Sequence, residues 1–348
     1  MNIPAASQPV IRVLLVDDSS VARGLLRAIL EAEEDIRVVG EAADGQQGLE
    51  LASRLRPDLI CMDLDMPVMD GLQCIDAIMH QKAIPILVVS ARADARKAYQ
   101  ALDLGALDVM AKPGLDERAA ELVSKVRLLA GVSMITRIRR HTPDTRTADA
   151  ASPTDTGRQR NFRNIVAIAC STGGPQALAW LLPRLPVEFP APVLISQHIS
   201  DGFVEGMVTW LGTLSSLPVK VAEDGECLRA RQVYVSPSES HMTVTEQDRI
   251  RLVPRKEDDL YHPCCNLLLE SVAHAYRSDG IGLIMTGMGR DGALGMQAIH
   301  ECGGITLAQD EASSVIFGMN QEAIRLGAIQ HIVTLKDIPQ QLIRLVLP

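Results

Sequence analysis

The chain is poor in aromatic residues, which make up only 3% of its 348 residues. Hydrophobic residues still reach 47%, so the interior has to be built from leucine, isoleucine, valine, alanine and methionine. A chain of this length suggests two domains rather than one, because a single hydrophobic core stops growing at about 250–300 residues. The composition therefore predicts two domains with aliphatic cores.

The chain also lacks an excess of positive charge, since its formal net charge is −9. Binding to nucleic acid requires a basic footprint, and no basic block is present. Apolar runs such as residues 13–16 are short, whereas a membrane span needs about 20 residues, and residues 1–10 show no signal-peptide pattern. We therefore expect a soluble, cytoplasmic protein with no nucleic-acid partner and no membrane insertion.

The seven cysteines contain no C-x-x-C pair. This absence removes the usual sequence signatures of a zinc ribbon and of a redox-active disulfide. We expect reduced thiols, as in other cytosolic proteins.

In residues 10–130, short apolar runs alternate with amphipathic segments such as 20–31 and 45–55. The predicted strands are 11–16, 36–41, 59–62, 84–89 and 106–110. Because parallel strands need crossover helices, this alternation predicts a doubly wound parallel sheet.

Residues 131–163 predict a flexible linker, because the stretch 139–144 leads into a run rich in Ala, Thr, Asp and Ser with little apolar periodicity. Residues 132–138 could instead extend the preceding helix. In residues 164–348 the alternation resumes and predicts a second α/β domain with a mainly parallel sheet. Its predicted strands are 165–169, 193–196 and 281–285, its predicted helices are 175–182, 266–277 and 292–302, and the short runs 232–235 and 249–253 predict a small antiparallel excursion.

Polar residues follow the strands of the first domain. Asp17 and Asp18 follow strand one, Asp63 ends strand three, Ser90 ends strand four and Lys112 follows strand five. In open parallel sheets, ligands bind beyond the carboxyl ends of the strands. Three converging carboxylates repel one another unless a cation is present, and oxygen-only ligands suit Mg²⁺. The residues thus predict a Mg²⁺ site beside groups that could hold a phosphoryl group.

Four segments, 16–19, 62–71, 89–91 and 112–113, together resemble the signature segments of two-component receiver domains, which have a flavodoxin-like fold. The resemblance implies Asp63 as the phospho-acceptor, with Ser90 and Lys112 contacting the phosphoryl group. It implies that Mg²⁺ is held by Asp17, Asp18, Asp63 and the backbone carbonyl of Asp65.

Two further details follow from the receiver resemblance. It implies a cis peptide bond between Lys112 and Pro113, since proline lowers the cost of that isomer. Receivers usually carry Phe or Tyr three residues before the lysine, where this chain has Val109. This departure leaves the usual route of signal transmission open to question.

A second candidate site lies at Ser171, between a predicted strand and a helix that begins near Pro175. Free N–H groups at a helix start favour a developing negative charge, but they equally suit phosphate binding. The sequence Ser171-Thr172-Gly173-Gly174 alone therefore fits a nucleophile, an anion-binding loop or a structural turn.

A serine nucleophile needs a base, and the base needs an orienting acid. His198 and Asp291 each follow a predicted parallel strand, as Ser171 does, so the three can meet at one sheet edge. Their order, Ser–His–Asp, differs from the three familiar triad orders. This excludes the usual α/β-hydrolase assignment.

Four segments of the second domain, 171–175, 197–198, 286–293 and 308–314, together resemble the catalytic domain of the chemotaxis protein-glutamate methylesterases, the CheB family. The order receiver–linker–esterase is typical of that family. The resemblance implies a phosphorylation-activated hydrolase that demethylates glutamate γ-methyl esters on chemoreceptors and deamidates receptor glutamines. Its implied partners are chemoreceptor cytoplasmic domains and a chemotaxis histidine kinase, with recruitment to receptor arrays.

The resemblance also implies residue roles. Ser171 is the nucleophile, His198 the base, Asp291 the orienting acid, Met288 an oxyanion donor through its N–H, and Thr172 a supporting residue. It implies no cofactor for the esterase reaction, and it implies that the unphosphorylated receiver covers the esterase cleft.

The chain departs from the CheB pattern at several residues. Ala169 stands where the family usually has Gly, which could strain the turn if that residue needs a positive φ. The stretch that usually reads His-Arg-Pro-Ser-Val-Asp is Tyr-His-Pro-Cys-Cys-Asn at 261–266, which predicts a changed cleft wall. A metal site at His262, Cys264 and Cys265 is disfavoured, because adjacent cysteines are poor joint ligands.

Two other functions compete with the hydrolase. A phosphate- or nucleotide-binding output domain would use residues 171–174 and would tolerate Ser171→Ala. A non-catalytic adaptor would tolerate His198→Ala and Asp291→Asn.

Overall fold

The computed structural model describes residues 10–91, 95–114, 117–132, 162–256 and 259–347. Residues 133–161, which include most of the predicted linker and of the possible helix extension at 132–138, lie outside the described part of the chain.

The N-terminal domain is a five-stranded parallel sheet with helices on both faces. The strands are β1 Ile11–Val16, β2 Ile36–Ala42, β3 Leu59–Met62, β4 Ile86–Ser90 and β5 Asp108–Ala111, and the helices are α1 Ser20–Glu31, α2 Gly45–Leu55, α3 Gly71–Gln81, α4 Ala95–Leu104 and α5 Glu117–Leu129. The strand order β2-β1-β3-β4-β5 is parallel throughout. This order is the flavodoxin-like one, so the predicted fold is confirmed.

Strands β4 and β5 each begin two residues later than predicted. Pro85 has no N–H to donate to the sheet, and β4 starts after it. The Ala106 N–H donates to the Ala101 carbonyl at 3.0 Å, so this residue caps the end of α4 rather than starting the strand. The predicted cis bond at Lys112–Pro113 is wrong. The cis peptide of the described residues joins His262 and Pro263, and trans is the commoner form of a bond to proline.

The C-terminal domain is a seven-stranded parallel sheet between helices. Its main strands, in spatial order, are β14 His331–Val333, β13 Ile305–Gln309, β12 Gly280–Ile284, β6 Ile165–Cys170, β7 Val193–Gln197, β9 Val233–Val235 and β8 Val219–Val221. Its helices are α6 Gly174–Leu181, α7 Val204–Leu214, α8 Cys265–Tyr276, α9 Ala293–Glu301, α10 Met319–Arg325 and α11 Ile338–Val346, with 3₁₀ turns at Leu182–Arg184 and Arg277–Asp279. The predicted second α/β domain is confirmed.

The predicted antiparallel excursion is half right. Strands β10 Ser240–Val244 and β11 Ile250–Pro254 do form an antiparallel pair. Strand β9 instead pairs in parallel with β7 and β8 and is fully buried. A three-residue apolar run is compatible with an antiparallel pair and with a buried parallel strand. Because β9 is buried on both faces, it belongs to the main parallel sheet.

The two domains pack through helix α4 of the first against α6 and α7 of the second. The Trp210 ring on α7 stacks on the Tyr99 ring on α4, and the Trp210 Nε1–H donates to the Asp103 carboxylate at 2.8 Å. The Gln176 side-chain amide on α6 donates to the Ala106 carbonyl just after α4. Residues of both domains share one continuous apolar cluster.

Candidate functional site

The three predicted triad residues follow adjacent strands. Ser171 comes after β6, His198 after β7 and Asp291 in the turn between β12 and α9. Strand β6 lies between β12 and β7 in the sheet. Because parallel neighbours end at the same edge, the topology brings all three side chains together.

The side chains form a hydrogen-bonded chain. The His198 Nδ1 atom lies 3.1 Å from Ser171 Oγ, and His198 Nε2 lies 2.8 Å from Asp291 Oδ2. An ionised carboxylate only accepts hydrogen bonds, so Nε2 carries the proton and the Nδ1 lone pair faces the serine. The arrangement can remove the serine proton, which is the central requirement of a serine hydrolase. Asp291 is fully buried and Ser171 is nearly so.

Backbone groups hold the Asp291 carboxylate. The N–H of Cys265 donates to Oδ2 at 2.6 Å, and the N–H groups of Asn266 and Gly292 each donate to Oδ1 at 3.0 Å. Burial alone would raise the pKa of Asp291, but the His198 contact and these donors outweigh it and hold the pKa below its usual value. The carboxylate therefore stays ionised and fixed in direction.

The turn that carries Ser171 is tightly packed. Gly173 has φ +78°, and its Cα lies so close to Val315 that an added Cβ would come within 2.7 Å of that side chain. An added Cβ on Gly287 would lie 2.8 Å from the Ser171 Cβ. The Ser171 N–H donates to the Thr286 carbonyl at 3.0 Å. The β12–α9 loop is thus pressed against the serine.

Met288 and Thr172, the two predicted supporting residues, border the serine. Met288 follows Gly287 in that loop, and its side chain is exposed. Thr172 is buried, and its carbonyl accepts a hydrogen bond from the Thr286 hydroxyl at 2.9 Å.

Two neighbours of the triad were not predicted. The ring of Tyr261 stacks on the His198 imidazole, with ring centroids 5.2 Å apart and 14° between the planes. The Cys265 Sγ atom lies 3.5 Å from His198 Nε2. The altered stretch 261–266 was the signal that could have found both. Ala169 shows no strain, since it lies in β6 and is not among the residues with positive φ.

In the first domain, the predicted carboxylates also meet. The Lys112 Nζ atom lies 2.7 Å from Asp17 Oδ2 and 3.0 Å from Asp63 Oδ2. Burial, together with the Asp17 charge, raises the pKa of Asp63 despite the Lys112 contact. The N–H of Lys112 donates to the Ser90 carbonyl at 3.0 Å, which joins β4 to the lysine.

Asp18 and Asp65 lie at the rim of this cluster. Asp18 is exposed, yet its carboxylate, with those of Asp17 and Asp63, places three oxygens within 4.8 Å of one another. The Asp65 side chain pairs with Lys97 on α4, so the predicted Asp65 ligand is its backbone carbonyl alone. The set consists of oxygen ligands only, which Mg²⁺ prefers. A divalent cation here would favour the ionised form of Asp63, whose pKa burial raises.

Two family models match the chain. One described as CheB methylesterase matches residues 166–342, and one described as response regulator receiver domain matches residues 13–127. The chain belongs to the CheB methylesterase family. Both resemblances found in the sequence are thereby confirmed.

Relatives of this CheB family member span its length. Protein-glutamate methylesterase/protein-glutamine glutaminase 3 of Paramagnetospirillum magneticum is 47% identical over 345 residues, 96% of each chain. The similarly named protein 2 of Anaeromyxobacter dehalogenans is 41% identical over 98% of each chain. The crystal structure of the Thermotoga maritima CheB methylesterase catalytic domain covers 53% of this chain and 98% of its own, with 35% identity and a TM-score of 0.51. Among the described helices, none has the length and apolar character needed to cross a membrane.

Proposed function

We propose that this CheB family member hydrolyses glutamate γ-methyl esters on the cytoplasmic domains of chemoreceptors, releasing methanol, and also deamidates glutamines there. The observation that carries the proposal is the hydrogen-bonded chain from Ser171 through His198 to Asp291. The names of the two relatives, which give both a methylesterase and a glutaminase, support both activities.

The reaction begins when His198 Nδ1 accepts the Ser171 proton and Ser171 Oγ attacks the ester carbonyl. The resulting imidazolium donates the same proton to the departing methoxide, which leaves as methanol. Water then attacks the acyl-enzyme with His198 again as base. Asp291 keeps the Nε2 proton in place and stabilises the imidazolium charge. A glutamine amide follows the same path and releases ammonia.

The oxyanion formed by this attack needs donors that are already in place. We assign the backbone N–H of Met288 to this role, because the loop at Gly287 lies against Ser171. Thr172 supports the site by holding the Thr286 hydroxyl through its carbonyl.

The receiver domain controls this hydrolase through phosphorylation of Asp63. A chemotaxis histidine kinase is the proposed phosphodonor. Asp17, Asp18, Asp63 and the Asp65 carbonyl would hold Mg²⁺, which neutralises charge around the phosphoryl group. Ser90 and Lys112 would contact the phosphoryl oxygens. The position of Lys112 Nζ beside Asp63 supports this role for the lysine.

Helix α4 is the proposed link between the two sites. It carries Lys97, which pairs with Asp65 beside the phospho-acceptor, and it also carries Tyr99 and Asp103, which contact Trp210. A phosphoryl group on Asp63 would compete for Lys97, shift α4 and loosen the packing against α7. This route does not require the aromatic residue that Val109 replaces.

Methanol release from a methylated receptor cytoplasmic fragment tests the proposal. Wild type and Ser171→Ala are compared with and without a small-molecule phosphodonor and Mg²⁺. We expect release that requires Ser171 and rises with the phosphodonor. Removal of residues 1–140 should also change the rate, and an unchanged rate would refute control by the receiver.

The competing functions give different outcomes in the same assay. Nucleotide affinity with a functional Ser171→Ala variant would favour the anion-binding domain. No release under any condition would favour the adaptor. Ammonia release from a receptor fragment that carries glutamine tests the deamidase activity separately.

A further inference from the structure

One cluster of metal-binding side chains is not accounted for by the hydrolytic mechanism. The Cys265 Sγ atom lies 3.5 Å from His198 Nε2, and the same nitrogen lies 2.8 Å from Asp291 Oδ2. Each of His198, Cys265 and Asp291 thus offers one ligand atom, and these three atoms all lie within 4.8 Å of one another. Hydrolysis by Ser171, His198 and Asp291 does not require a thiol at residue 265.

We propose that His198, Cys265 and Asp291 form a binding site for Zn²⁺ or a similar thiophilic divalent cation, and that occupation of this site switches the hydrolase off. The inhibitory consequence rests on the function proposed above, whereas the binding site itself does not. The proposed site differs from the one at His262, Cys264 and Cys265 that the sequence disfavours. In the proposed site Cys265 lies beside His198 and Asp291 rather than beside His262.

The distances suit a tetrahedral cation. Zinc bonds are about 2.3 Å to sulfur and about 2.0–2.1 Å to imidazole nitrogen, so these two ligands lie about 3.5 Å apart on a tetrahedral ion. The observed separation of Cys265 Sγ and His198 Nε2 is 3.5 Å. The contact from Nε2 to Asp291 Oδ2 must lengthen from 2.8 Å to about 3.4 Å, since the cation replaces the proton between them.

The donor set selects a class of cation. A thiolate with an imidazole and a carboxylate suits Zn²⁺ and Co²⁺, whereas Mg²⁺ prefers oxygen ligands alone. The Asp17, Asp18 and Asp63 cluster has only oxygen ligands. These two clusters of the described residues therefore differ in preference, and Mg²⁺ used for phosphorylation should not occupy the cluster with Cys265.

Binding requires a defined movement of protons. Burial and the Asp291 charge raise the pKa of the Cys265 thiol, so the thiol is protonated before the cation arrives and releases its proton to solvent as the sulfur–metal bond forms. The proton on His198 Nε2 moves to Nδ1 as the cation takes the Nε2 lone pair. Nδ1 can then no longer accept the Ser171 proton, which stops the reaction at its first step.

Cobalt binding tests the site without reference to activity. Full-length protein is titrated with Co²⁺ in the presence of excess Mg²⁺, and the thiolate-to-cobalt charge-transfer absorption is recorded. The test variant is Cys265→Val, the residue usual in the family stretch, with Cys265→Ala as a second variant if the first fails to fold. Matched controls are Cys227→Ser, at an exposed thiol, and Cys302→Ser, at the thiol that directly follows α9.

The rate of methanol release is then measured for wild type and for each variant. Each rate with Zn²⁺ is divided by the rate of the same protein without Zn²⁺, which gives a rate ratio. We expect one Co²⁺–thiolate absorption per wild-type chain. We also expect the rate ratio to fall about tenfold or more once the Zn²⁺ concentration exceeds its Kd about tenfold. Both should vanish in the Cys265 variants and persist in the two controls.

Other results would overturn the proposal in distinguishable ways. Absorption that is absent in wild type, or that persists without Cys265, would refute the site. Absorption that requires Cys265 but leaves the Zn²⁺ rate ratio at one would refute the inhibition. Cys265-dependent absorption in a protein that releases no methanol without metal would uphold the site and refute the proposed hydrolase function.

Discussion

The indole of Trp210 stacks on the phenol ring of Tyr99, with ring centroids 5.5 Å apart and 22° between the planes. Both rings are buried, although the two residues belong to different domains. The Trp210 Nε1–H also donates to Asp103, one helical turn further along α4. A single helix of the receiver thus provides both contacts to the tryptophan.

Loss of the Asp103 contact should raise the activity of the unphosphorylated protein. Asp103 is exposed, so its hydrogen bond contributes about 0.5–1.5 kcal/mol, and Asp103→Ala should shift the domains toward the open arrangement by about two- to tenfold. We expect a higher basal rate of methanol release and a smaller stimulation by phosphodonor. An unchanged basal rate would exclude the Asp103–Trp210 hydrogen bond as an inhibitory contact, and Asp76→Ala on α3 is the control.

Asp291→Asn should abolish most catalysis. An asparagine amide cannot accept hydrogen bonds on both sides, so it mismatches the donors at Cys265, Asn266 and Gly292 and favours the wrong His198 tautomer. In serine hydrolases the corresponding change lowers kcat about 10⁴-fold. The measurement is kcat and KM for methanol release, with thermal unfolding as the folding control. A loss confined to KM would contradict the orienting role.

Gly287→Ala should displace the nucleophile Ser171, because the added methyl group would collide with its neighbours. The added methyl would lie 2.3 Å from Met319 Sδ and 2.8 Å from the Ser171 Cβ, so the loop that carries Met288 has to move. Overpacking of this kind costs about 1–3 kcal/mol. We expect a lower Tm together with a lower kcat. Gly24→Ala in α1, where an added Cβ meets nothing within 4 Å, is the matched control. It should keep kcat and should not lower Tm, because alanine is favoured over glycine inside a helix.

Removal of the ring at Tyr261 should slow the reaction moderately. A cation over an aromatic face within about 6 Å gains about 0.5–1 kcal/mol at exposed sites, and this gain appears only when His198 becomes an imidazolium. Tyr261→Leu should therefore lower kcat about two- to fivefold, while Tyr261→Phe keeps the stacked ring and should keep the rate. Equal rates for the leucine and phenylalanine variants would show that the stacking has no catalytic role.

Asp63→Asn should stabilise the receiver at neutral pH. Burial raises the Asp63 pKa above 3.8, so ionisation of this carboxyl costs stability as pH rises above 3.8, and the cost grows until pH passes the raised pKa. We expect a higher Tm for Asp63→Asn at pH 7 and a difference that closes below pH 3.8. Mg²⁺ should raise the Tm of wild type more than that of the variant. A variant less stable at pH 7 would contradict the prediction.

The sequence alone was enough to identify which polar residues meet at each sheet edge. Ser171, His198 and Asp291 each follow an apolar run, and parallel strands end at a common edge, so the strand pattern already implies their meeting. The same reasoning holds for Asp17 and Asp63. Local patterns were sufficient here because the period of apolar residues encodes the strands.

The tertiary structure decided what surrounds those residues. It turns Nδ1 of His198 toward the serine, and it brings the N–H groups at the start of α8 onto Asp291. It also places Cys265 against His198 and Tyr99 against Trp210. These contacts join segments far apart in the chain and depend on ring orientation and helix packing, which hydrophobic periodicity and turn propensity do not encode.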